Sequence, residues 1–219
     1  MRNLFFRRNW KDQKGITGLE TAIILIAFVV VAAVFAYTAL SAGLFSTQKS
    51  SEAVYAGLKE AQSTIELKGG VIAIAGATGS SGTVKQVTFT ISNALGGEPI
   101  DFTAPAADTS NNNGQADSTS TNKVVVSYID QDQRVDDLYW TVTKLGQSDD
   151  DDLLEVNEMF KITVGNTDNG TGGGNLLDAL DPDLTVNKEF SLEVVPPVGA
   201  VLNVERTTPA YIDSIINLH

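Results

Sequence analysis

An uninterrupted apolar run, "AIILIAFVVVAAVFA" from Ala22 to Ala36, constrains this chain more than any other feature. Extended to Phe45 it covers 24 residues, about 36 Å as an α-helix and enough to cross a hydrocarbon core of about 30 Å. Such a segment needs lipid or other helices around it. Five basic residues (Arg2, Arg7, Arg8, Lys11, Lys14) and one acid precede it, which predicts a cytoplasmic N-terminus and an exterior C-terminal domain. An ordinary secretory signal has a shorter apolar core, about 7–15 residues, closed by a small-x-small site. Leu40-Ser41-Ala42 before Gly43 offers such a site, so conventional cleavage there is a rival reading. Two details favour another. The polar leader stops at Lys14-Gly15, upstream of the apolar run, and Glu20 lies at the membrane boundary with no cation close in sequence. An unpaired carboxylate there is costly unless it pairs or protonates. Cleavage after Gly15 would free an α-amino group on Ile16, and the amine of a neighbouring chain could satisfy Glu20. The plain alternative is a boundary residue facing lipid headgroups.

Helical periodicity continues beyond the apolar run. Val54, Leu58, Ala61 and Ile65 recur at spacings of 4, 3 and 4, while Lys59, Glu60, Glu66 and Lys68 fall off that stripe. The pattern predicts one helix over 16–68, roughly 78 Å long, stopped by Gly69-Gly70. A compact domain of this size has no use for such a rod, whereas packing between chains does.

From Val71 the period becomes 2. Val87/Phe89/Ile91, Val124/Val126/Tyr128, Leu138/Trp140/Val142, Phe160/Ile162/Val164 and Phe190/Leu192/Val194 alternate with polar residues. Loops rich in Gly, Asn, Ser and Asp separate these runs. Short alternating strands with that punctuation predict an antiparallel, immunoglobulin-like β-sandwich. The fold class is therefore α+β: a leader over 1–15, a helix over 16–68 and a β-sandwich over 69–219.

Charge narrows the function. Residues 16–219 carry 10 basic and 26 acidic groups, net −16, so nothing displaces counterions from nucleic-acid phosphates. The chain has no Cys and a single His, His219. Any metal site would use oxygen ligands, any general base would be a carboxylate, and no enzyme activity or cofactor is expected. Asp130, Asp132, Asp136 and Asp137, or Asp149–Asp152, could hold Ca²⁺ or Mg²⁺. The first group lacks the Gly and closing Glu of an EF-hand loop and the second is a charge run, so solvated loops are the competing reading. Asn169-Gly170-Thr171 is an N-glycosylation sequon in a Gly-rich loop.

At two places the residues resemble archaeal flagellins (archaellins), members of the type IV pilin-like superfamily. The first is the leader ending Lys14-Gly15 followed by "ITGLETAIILIAFVVVAAVFAYTAL"; the second is "EFSLEVVPPVGAVLNVERTTPAYID", with Pro196 or Pro197, Gly199, Glu205, Arg206 and Pro209. The resemblance implies that a prepilin-type peptidase cuts between Gly15 and Ile16, with Gly18 and Glu20 at the family's small and acidic positions. It implies a membrane-held precursor whose helix then enters the centre of an extracellular rotating filament. There Ala22, Ile23, Ile26, Ala27, Val30, Val34, Val54, Leu58 and Ile65 would pack against other copies, or against other archaellins. An assembly ATPase and a platform protein are the implied cytoplasmic partners, and since archaellins are often glycosylated the resemblance makes Asn169 a candidate acceptor. An adhesion pilin shares the leader but not the closing segment. A membrane-anchored or secreted binding module would instead need an aromatic-lined cavity, and this chain has only two Trp, Trp10 and Trp140.

Overall fold

The computed structural model describes residues 13–94, 97–166 and 172–218, with backbone alone at 13–17 and 60–62. The chain divides after Tyr55 into two compact units. Helix α1 (Gln13–Gln62) is continuous over 50 residues and provides the first unit; its last turns belong to the second.

The second unit is built on β1 (Ile65–Ala77), β2 (Thr83–Asn93), β3 (Ile100–Asp101), β4 (Val125–Asp130), β5 (Arg134–Val135), β6 (Trp140–Leu145), β7 (Leu153–Leu154), β8 (Met159–Val164), β9 (Glu189–Val195), β10 (Leu202–Thr207) and β11 (Ile215–Leu218). A single turn of helix, α2 (Leu176–Ala179), precedes β9. One sheet has the order β11-β1-β2-β8-β6 and the other β10-β9-β4-β5, with β3 and β7 as a short ribbon. All strand pairs are antiparallel. The α+β architecture legible in the sequence, a long helix followed by an antiparallel sandwich, is the one the chain adopts.

Alternation builds the core. Along β9 the residues Phe190, Leu192 and Val194 are buried, and the residues between them are not. They join Val87, Phe89, Ile91, Val126, Tyr128, Phe160, Ile162 and Val164 in one cluster. Phe102 meets Trp140 and Phe160 edge-on at 6.1 Å, and Tyr128 stacks on Phe190 at 5.9 Å. Such pairs add about 0.5–1.5 kcal/mol each beyond the area they bury.

The helix boundaries differ from the sequence reading at both ends. Helical backbone starts at Gln13 and runs through Lys14-Gly15. It stops at Gln62, where the Ser63 N–H donates to the Lys59 carbonyl at 3.0 Å. Ile65 therefore leaves the helical stripe shared by Val54 and Leu58 and becomes the first inward residue of β1, 4% exposed. "IELK" fits both periods: Ile65 and Leu67 can lie on one face of a strand as well as near one stripe of a helix. Pairing of Ile65–Lys68 with Asn93–Thr90 on β2 decides between them. Gly69-Gly70 is not a helix stop either. Between the Lys68↔Thr90 and Ile72↔Thr88 partners β1 advances four residues while β2 advances two, and Gly69 takes φ +78° in the bulge.

Candidate assembly site

Every described side chain from Gly18 to Lys59 is exposed. That stretch is long and apolar enough to cross a membrane, with a mean hydropathy of 2.8 in its most apolar window. Ile23, Ile26, Val30 and Val34 are 56–62% exposed, and Val54 and Leu58 remain open as well. Complete burial of each such side chain is worth about 1.5–3 kcal/mol relative to water. Apolar residues occupy every face, so the helix suits an environment that surrounds it.

The described threonine side chains of the rod are satisfied by its own backbone. The Thr21 hydroxyl donates to the Gly18 carbonyl at 3.0 Å, Thr38 to Phe35 at 2.9 Å and Thr47 to Gly43 at 2.6 Å. Back-bonding of this kind lets hydroxyls enter an apolar setting without an orphaned donor. Glu20 is the one charge in this stretch: between Gly18 and Gln48 it is the sole Asp, Glu, Lys or Arg, and it is exposed. Farther along, Lys49 and Glu52 pair one turn apart at 2.5 Å. The backbone of Lys14, Gly15 and Ile16 is helical, and the polar leader over 1–12 lies outside the described residues.

Where the helix gives way to β1, the C-terminal motif closes on it. Ser63 is buried, the Ala94 N–H donates to the Thr64 carbonyl at 2.9 Å, and Lys59 pairs with Glu98 at 2.7 Å. Gly199 lies against Ser63 with φ +104°; a β-carbon there would stand 1.5 Å from the Ser63 carbonyl oxygen. Only glycine fits. The Glu-Arg-x-x-Pro segment closes β10 through its intervening Thr208, whose hydroxyl donates to the Thr185 carbonyl at 2.6 Å and accepts from the Lys188 N–H at 2.9 Å, and the chain then returns as β11 to the sheet of β1. Glu205 projects outward from β10, and the Arg206 Nη1 donates to the Glu205 carbonyl at 2.7 Å. The Asn187 N–H donates to the Pro209 carbonyl at 3.3 Å.

The acidic groups are organised without converging. Asp130 accepts from the Tyr128 hydroxyl and from the Asp132 and Gln133 N–H groups; burial opposes its ionisation, but these donors keep its pKa below the usual carboxylate value. Asp132 is taken by Lys188 at 2.6 Å and Asp136 by Arg134 at 2.9 Å. The structure thus does not gather Asp130, Asp132 and Asp136 into an oxygen cage, and no metal-holding group of three acids occurs among the described residues. Buried Glu158 accepts from the N–H of Asp149, the first of the acidic run Asp149–Asp152, and from the Glu155 N–H. Asp101 is the most perturbed acid. Lys123 at 2.7 Å, then the Thr103 hydroxyl at 2.5 Å and its N–H, hold its pKa down at about 2.

Trp140 is fully buried, so it lines no sugar-binding surface; Trp10 and Asn169 lie outside the described residues. Sequence reading missed Ser63 as the seat of Gly199. A signal existed in the paired features of a Pro-Pro-x-Gly loop and a helix end, but nothing local to either joins them.

Comparison with known proteins is consistent across sequence and structure. A family model for archaeal-type flagellin matches residues 15–206. The chain is 37% identical to "Probable flagellin 1" of Archaeoglobus fulgidus over 95% of its own length and 96% of the relative's. It is 39% identical to "Probable flagellin 2" of the same organism, covering 93% of each chain. The solved archaeal flagellum of Methanospirillum hungatei superposes with a TM-score of 0.60 at 28% identity, over 92% of this chain and 98% of that one.

Proposed function

The chain belongs to the archaeal-type flagellin family and is a structural subunit of the archaeal flagellar filament; we propose that it polymerises through α1. The observation that carries this mechanism is an apolar helix exposed on every face, in a chain whose β-sandwich closes a core of its own.

In this reading the helix has two successive environments. The precursor stays in the cytoplasmic membrane through the Ala22–Phe45 run, with its basic leader on the cytoplasmic side. A prepilin-type peptidase cuts between Gly15 and Ile16, and Gly18 leaves room near the cut. The helices then leave lipid and pack against each other. Hydrophobic free energy changes little in that transfer, so close packing and polar satisfaction set the balance. Ala22, Ala27, Ile23, Ile26, Val30 and Val34 form the tightest contacts, with Val54 and Leu58 extending the seam outward; Ile65 drops out of it because it belongs to the sandwich core. Glu20 engages the freed amine of Ile16 on a neighbouring copy, which aligns successive subunits. An assembly ATPase and platform protein supply and turn the filament, the sandwiches face the medium, and Asn169 is a glycan acceptor there.

N-terminal sequencing of subunits from purified filaments tests the pathway. Ile16 is the expected first residue; Gly43 would replace it with ordinary signal cleavage, and Met1 with a permanent anchor.

A further inference from the structure

The two outer faces of the sandwich differ in chemistry. Strand register places Thr88, Thr90, Thr141, Thr143 and Thr163 together on the outer face of the five-stranded sheet, with Lys161 among them; Thr143 is exposed, Thr88, Thr90, Thr141 and Lys161 are half-buried, and Thr163 is buried between its neighbours. The Thr88 hydroxyl donates to Thr163 Oγ1 at 3.3 Å, tying β2 to β8 across this face. The one acid that the strands turn to this side, Glu66, is held by Lys68. Lys161, like Lys85 and Arg206, has no ion pair among the described residues, whereas Lys49, Lys59, Lys68, Lys123, Arg134, Lys144 and Lys188 are paired.

The opposite face, on β9 and β10, presents Glu189, Glu193 and Glu205. Arg134 reaches Glu193 at 3.3 Å. Glu189 and Glu205 instead meet each other on the diagonal, two residues out of register, and their mutual hydrogen bond and repulsion raise the pKa of Glu189. Two carboxylates side by side on a sheet face cost free energy that a cation would recover.

We propose that these faces dock on one another between copies of the chain, Lys161 and its threonine surround on one copy receiving Glu189 and Glu205 of the next. The inference rests on the filament reading above. Because the faces lie on opposite sides of one sandwich, the contact is heterologous; such a contact propagates as an open helical polymer instead of closing on itself. Charge complementarity selects the partner. Residues 16–219 carry net −16, so neighbouring sandwiches repel wherever acid meets acid, and joining an acid-poor face to an acid-crowded one is the arrangement that lowers this cost.

The test uses full-length chains carrying Lys161→Gln, Glu189→Gln with Glu205→Gln, or all three, with filaments sheared from cells and held at a fixed temperature. Sedimentation then reads the soluble subunit fraction. Each set should raise that fraction about two- to fivefold, and the combination should raise it no further than the stronger set, since both remove one contact. Dissociated subunits carrying the Glu changes should unfold at or above the wild-type temperature. Zero-length carbodiimide cross-linking of wild-type filaments should join Lys161 to Glu189 or Glu205, a link that opposite faces of one sandwich cannot make within a chain. Its absence from cross-linked filaments, or variant effects that multiply, overturns the proposal. Failure of the filament reading looks different, because the wild-type chain would then be missing from filaments altogether.

Discussion

Gly199 shows how little a single residue needs to add before the fold fails. With φ +104° and the Ser63 carbonyl oxygen 1.5 Å from any β-carbon, Gly199→Ala must both strain its own backbone and push the helix exit away. The expected loss is more than about 3 kcal/mol. Gly79→Ala is the control: φ +118° but nothing within 4 Å, so about 1–2 kcal/mol is expected from backbone strain alone. Chemical denaturation of the two variants compares them. Asp101 governs acid sensitivity. Its folded pKa of about 2 lies below the usual carboxylate value, so its contribution is complete above about pH 4 and fades as pH falls through 2. Asp101→Asn should lose on the order of 1 kcal/mol at pH 6 after solvent screening, and the gap from wild type should narrow by pH 2 in urea titrations. Glu20→Leu should leave the subunit's unfolding unchanged yet give few or irregular filaments by electron microscopy; normal filaments would make Glu20 a boundary residue only. Glu20 was legible because one charge in an apolar run has no local partner. Gly199 was legible as a motif but not as a contact, because its partner is distant in sequence and is fixed only once β9 and β10 have closed.

At the scale of elements, the rod and the sandwich divide the apolar residues between them, and Ile65 marks the border. Val54, Leu58 and Ile65 share a helical spacing, but Ile65 is 4% exposed and Leu58 is 50% exposed. Ile65→Ala should therefore cost the sandwich about 2–4 kcal/mol of unfolding free energy. Leu58→Ala should leave unfolding of the sandwich within about 0.5 kcal/mol of wild type and lower the temperature at which filaments dissociate. Calorimetry of subunits beside that of filaments separates the two effects. Strands β2, β4, β8 and β9 were readable because each turns its large apolar residues to one face, which stamps period 2 on the sequence. The start of β1 was not. Over four residues the two periods overlap, and only the long-range pairing of Ile65 with Asn93 chooses between them. The same holds for Gly69-Gly70, which ends a helix or makes a bulge according to what lies opposite.

The whole molecule is a division of labour between a helix that needs company and a domain that does not. Within Gly18–Lys59 no described side chain is buried, while the sandwich assembles its core from both sheets. An acidic surface keeps such domains apart wherever acid meets acid; an apolar rod draws the chains together. Electron cryomicroscopy of filaments made from this chain tests that division most directly. The account predicts mature subunits beginning at Ile16, with Ile23, Ile26, Val30 and Val34 buried against helices of neighbouring copies and the sandwiches outside. Subunits lacking everything before Gly43, or a filament whose centre is built from sandwiches with α1 absent, would contradict it.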